Sequence, residues 1–161
     1  MKKTILIIFL VIGITSQSQT FGYKKDKDYT YIMAGSSYAK IPHTKEYTPN
    51  FILTTGARYN LVDISINYEY VKLNPDYHSY FAQLQIAPLD IHNYEFLIGC
   101  KYGRVLRDAT YFYSGFNGEV RAKFNWLILS ITGSYDYRGD LEMYSSSNWK
   151  FNSNLKIGYK F

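Results

Sequence analysis

Acid–base chemistry needs a histidine within reach of a hydroxyl and a carboxylate, and one stretch offers all three: Asp76, His78 and Ser79. In a serine hydrolase they would act as orienting acid, base and nucleophile. Adjacent side chains of a strand point to opposite faces, however, so His78 could engage Ser79 only from a loop conformation. His43 and His78 fall in expected outer loops and His92 in an expected short turn, and all three read as solvated histidines. The single cysteine, Cys100, can form no internal disulfide and has no companion for metal or redox work, so it reads as a small apolar filler. No metal-ligand spacing and no phosphate-cradling glycine loop occurs. The sequence therefore assigns no catalytic, cofactor or metal residue, and the expectation is a protein that is not an enzyme.

The remaining ionisable groups follow a different rule. Glu69, Glu95, Glu119 and Asp136 recur at positions that share a face with Arg58, Lys101, Arg121, Lys123, Arg138, Lys150 and Lys156. Acids and bases on one face pair with one another, so these eleven residues are expected to form a structural charge network with an excess of cations. The faces come from strands. Side chains alternating with period two mark a β-strand with one apolar and one polar side. From Tyr29 onward the chain reads as eight such strands: 29–40, 51–59, 64–71, 80–88, 94–104, 112–124, 127–138 and 149–161. Leu127, Leu129, Ile131, Tyr135 and Tyr137 oppose Ser130, Thr132, Ser134, Asp136 and Arg138, and Tyr94, Phe96, Ile98 and Tyr102 oppose Glu95 and Lys101. The first strand, YTYIMAGSSYAK, can be read in either phase. Short connections (60–63, 89–93, 125–126) alternate with long ones (41–50, 72–79, 105–111, 139–148), as in an up-and-down sheet with its turns at one end and its loops at the other.

Composition sets the surroundings. The 161 residues suit one domain, and 18 Tyr, 10 Phe and 2 Trp coexist with a mildly polar mean hydropathy of −0.25. Met1 to Ser18 has a basic start, the apolar run from Ile5 to Ile14 and a small-residue exit, which is the pattern of a secretory signal peptide. Residues 19–28 then form a short charged periplasmic lead-in and 29–161 the barrel. Without Lys2 and Lys3, 16 of the 18 basic residues remain against 13 acidic ones, too mild a balance to imply a nucleic-acid partner. A soluble barrel would place its apolar face inward and give the same alternation. Three features favour lipid outside: aromatics banded at both ends of the apolar face, a polar face suited to a lumen, and the asymmetry of turn and loop lengths. The bands hold Tyr59, Tyr94, Phe124 and Phe161 at the turn end and Tyr70, Tyr80, Tyr102, Tyr137 and Trp149 at the loop end.

The last strand ends Leu155, Ile157, Tyr159, Phe161 at alternate positions. It resembles the assembly signal of Gram-negative outer-membrane barrels, and the whole of 29–161 resembles the small barrels of the OmpA/OmpX type in strand number, strand length and turn asymmetry. The resemblance implies an all-β, eight-stranded, antiparallel up-and-down transmembrane barrel in the cell outer membrane, monomeric, with both termini periplasmic. It further implies recognition by the barrel-assembly machinery and contact with outer-membrane lipid, and it lends no functional residues. The expected role is structural or interactive at the cell surface, through tyrosine-rich loops that could engage a surface ligand. The rival readings are an outer-membrane lipid-modifying enzyme, a narrow channel and a soluble exported ligand-binding barrel.

Overall fold

The computed structural model describes residues 28–36, 38–40, 47–72, 76–141 and 147–161. The expected signal peptide, most of the lead-in, His43 and much of the long connections lie outside them. The strands are β1 (Tyr29–Ser36), β2 (Tyr38–Lys40), β3 (Tyr47–Tyr59), β4 (Val62–Val71), β5 (Tyr77–Ile91), β6 (Tyr94–Leu106), β7 (Thr110–Phe124), β8 (Leu127–Arg138) and β9 (Trp149–Lys160). β1 and β2 run along β3 in one register, with Gly35 opposite Ile52 and Tyr38 opposite Pro49, so together they form a single stave. Each stave pairs antiparallel with its neighbour in the chain, and β1 returns to β9, Tyr31 facing Lys160 and Ser36 facing Leu155. The result is a closed eight-stranded barrel, which leaves no unpaired sheet edge.

Alternation sets the two surfaces. Ile98, Phe116, Phe151 and Leu155 point outward with 52%, 67%, 72% and 63% of their surface exposed, whereas Arg58, Asp63, Glu95, Arg121 and Asp136 point inward and are fully enclosed. This is the reverse of a soluble barrel, whose apolar residues line the inside. Cys100 is exposed on the outer wall, not packed as an interior filler. The ambiguous first strand takes the phase that puts Tyr29, Tyr31 and Met33 inside and Ile32 outside. Gly56 on the facing strand makes room for it: a Cβ there would stand 2.6 Å from the Tyr31 hydroxyl oxygen.

Several strands outrun their expected ends. β5 begins at Tyr77 and continues past Pro88 to Ile91, so His78 lies in a strand and not in a loop. Proline is accepted there because the β5–β6 register shifts between Ile86 and Leu89, and the neighbouring Ala87 amide donates to the Leu61 carbonyl at 2.9 Å. Two short connections contract to the two-residue turns Asn60-Leu61 and His92-Asn93, and the third, Asn125-Trp126, keeps its expected length. In each the first residue has φ near +50° (50°, 54° and 53°), where Asn and His are tolerated better than most side chains. Two apolar clusters close the interior toward its ends: Val71, Tyr77, Phe81, Val105 and Tyr113 near the loops, and Tyr29, Tyr31, Met33 and Ile128 near the turns.

Candidate functional site

The interior between these clusters is the most elaborate polar arrangement of the molecule, and Arg121 on β7 is its hub. Its Nε donates to Glu119 at 2.6 Å, its Nη1 to Asp63 Oδ2 at 2.6 Å and its Nη2 to the Tyr31 hydroxyl at 2.9 Å, while the guanidinium lies 4.4 Å from the Tyr31 ring centre. Glu119 is also reached by the Ser130 hydroxyl at 2.7 Å and by Lys156 at 3.4 Å. A buried carboxylate holds its charge only when it is surrounded by donors in this way.

A second group lies closer to the turns. Lys123 pairs with Glu95 at 2.7 Å and with Asp90 at 3.4 Å, and the Tyr29 hydroxyl donates to Glu95 at 2.5 Å. Arg58 approaches Glu95 at 3.6 Å but forms no hydrogen bond among the described residues. Toward the loops, Lys101 pairs with Asp136 at 3.3 Å and stands over the rings of Phe81 and Tyr113. Higher still, Glu69 accepts from Ser79 at 3.1 Å and from Asn50, and Arg138 pairs with Asp140 at 2.7 Å while packing 4.4 Å from the Tyr77 ring centre.

All eleven residues of the expected charge network thus occupy inward positions, with Lys150 half-buried opposite Asp136. Three acids join them that the sequence reading had placed in connections: Asp63, Asp90 and Asp140. With these the expected cation excess shrinks to one, since eight inward cations, Lys160 over the Tyr29 ring among them, face seven inward acids among the described residues. Asp63 was legible, because it continues the series Ser65, Asn67, Glu69 by one more step. Asp90 was not, because the register shift before it breaks the count.

The Asp76-His78-Ser79 neighbourhood separates in three directions. Ser79 is enclosed and bonded to Glu69, His78 points outward with Nδ1 2.8 Å from the Tyr68 hydroxyl, and Asp76 is exposed beyond the strand end. No triad geometry can form from an inward serine and an outward histidine. Among the described residues no group of His, Cys, Asp and Glu is arranged to hold a metal. Phe161, Tyr159, Ile157 and Leu155 form an outward file at the seam where β9 meets β1 and β8, and the Phe161 amide donates to the Thr30 carbonyl at 2.9 Å. Tyr159 packs against Trp126 and Phe161, with ring centres 5.6 and 4.9 Å apart.

No protein-family model and no curated protein matches the sequence. Solved structures do match. Neisserial surface protein A (NspA) superposes with a TM-score of 0.55 at 13% identity, over 83% of this chain and 94% of its own. Ail, the attachment invasion locus protein of Yersinia pestis, does so with a TM-score of 0.45 at 12% identity, over 84% and 99%. The likeness to NspA is one of fold: both are closed antiparallel barrels of the same size class.

Proposed function

We propose that the protein is an integral, non-enzymatic β-barrel of the Gram-negative outer membrane, monomeric, with both termini in the periplasm and its long loops outside. The observation that carries this reading is the inversion of the barrel: a predominantly apolar outer wall around an ion-paired interior. Such a wall is stable against hydrocarbon and costly against water. The name of NspA, a surface protein, points the same way. The role is structural or interactive at the cell surface, a ligand being met by the loops. Lipid modification is disfavoured because the described acids are engaged by bases and hydroxyls and the inward serine has no histidine beside it.

The test is fractionation. Mature protein should sediment with the outer membrane and run at a different apparent mass on gels when unheated, and recovery in the detergent-free periplasm would refute the reading. The terminal file belongs to the same proposal, as the strand read by the barrel-assembly machinery. Replacing Phe161 with Asp should lower the amount inserted, and equal insertion would remove Phe161 from that role.

A further inference from the structure

Among the described residues of β4 to β9, Arg104 alone carries a fixed charge on the outward face. Every other strand cation there points inward, and no carboxylate occupies an outward position beside it. Among the described residues, no carboxylate supplies Arg104 with a counter-charge on that face. Its height follows from the strand: it lies ten residues along β6 from Tyr94, about 34 Å of extended chain. At a tilt of roughly 40° that is about 26 Å, close to the ~25 Å apolar band of such barrels. The guanidinium thus stands at the upper edge of the band, where a charge is tolerated, and not at its middle, where it is strongly disfavoured.

The surroundings are built for an interface. Register places Tyr80 on β5 and Phe112 on β7 directly beside Arg104, with Tyr102 two residues below on its own strand. Tyr80 packs on Tyr68 at 5.0 Å between ring centres, and Tyr68 is hydrogen-bonded to His78, which also packs against Tyr70. On the other side Phe112 meets Tyr102 edge-on at 5.3 Å and Tyr137 at 6.0 Å. Such a collar holds the level of the barrel in a membrane, because amphipathic rings settle at the headgroup boundary.

We propose that Arg104 and its aromatic collar form a binding site for the phosphate of an anionic lipid headgroup, in the leaflet at the loop end of the barrel. The planar guanidinium presents two parallel N–H donors to phosphate oxygens, and the hydroxyl of Tyr80, opposite Arg104 in register, is the third donor of the collar. The inference rests on the membrane reading above and deepens it by naming a lipid class and a residue.

The experiment uses full-length mature protein in nanodiscs holding equal parts phosphatidylglycerol and phosphatidylcholine, with retained lipid counted by native mass spectrometry. Wild type should retain phosphatidylglycerol over phosphatidylcholine by roughly fivefold, the factor expected of one interfacial cation. Arg104→Ala and Arg104→Gln should lose the preference, Arg104→Lys should keep part of it, and Tyr80→Phe should weaken it. Replacing phosphatidylglycerol with cholesteryl hemisuccinate, whose charge is a carboxylate, should lower retention. Added inorganic phosphate should not displace the lipid. The site is overturned if wild type shows no preference, if Arg104→Ala keeps it, or if free phosphate abolishes it. Heat-dependent gel mobility on the same samples separates the two ideas: a protein that fails to insert refutes the membrane reading, whereas one that inserts without preference refutes only the lipid site.

Discussion

Burying an arginine costs least when its surroundings answer its donors, and Arg121 is answered by two carboxylates and a tyrosine hydroxyl. Removing it would leave Glu119 and Asp63 facing each other without their shared cation. Arg121→Ala should therefore cost about 3–5 kcal/mol, read from urea unfolding in detergent micelles, whereas the exposed Asp108→Ala should stay within about 0.5 kcal/mol. Asp108 makes a separate prediction. The Tyr111 hydroxyl, donating at 2.9 Å, holds its carboxyl below the ordinary aspartate range. A depressed folded value means that this contact stabilises the turn above the ordinary aspartate value and is lost as the pH falls through the depressed one. NMR titration of the Asp108 carboxyl should find it shifted down, and Tyr111→Phe should bring it back up.

At the level of strands, the three two-residue turns carry the most local strain, because Asn60, His92 and Asn125 hold left-handed backbone that glycine adopts freely. His92→Gly should leave the barrel as stable or more so, while the β-branched His92→Val should destabilise it by about 1–2 kcal/mol, compared by the same urea transitions. The strands themselves were readable where one residue class owned each face, as in Leu127, Leu129 and Ile131 against Ser130 and Thr132. β1 was not, since Tyr29, Tyr31 and Met33 compete with Ile32 and Ala34 for the apolar face. Tyrosine belongs inside a polar barrel when its hydroxyl finds an acid, and the partner of Tyr31 is Asp63, 32 residues away. β5 was cut short for a local reason, because Pro88 and the His78 segment look like loop until the register shift absorbs the proline. Asp140 gave no period-two signal at all, as it sits in a 3-10 turn.

For the whole molecule, the near balance of eight inward cations and seven inward acids among the described residues decides transport. An eight-stranded barrel has room inside for its side chains and little more, and these are drawn together in pairs between two apolar clusters. Refolded protein in planar bilayers should show no large, steady conductance; porin-sized openings would contradict a closed interior. The interior ion pairs and hydrogen bonds also link parts of the chain that are far apart in sequence: Arg121 reaches Asp63 across 58 residues, Tyr29 reaches Glu95 across 66, and Arg121 reaches Tyr31 across 90. A partly assembled sheet can form the pairs between adjacent staves, such as Lys123 with Glu95, but until the first stave closes on the last it leaves Glu95 without Tyr29 and Arg121 without Tyr31. Closure of the seam completes the interior network. A chain lacking β1 should not persist as a seven-stranded intermediate, and refolding followed by Trp126 and Trp149 fluorescence should proceed in one kinetic phase, with closure of the seam as the step that commits the molecule.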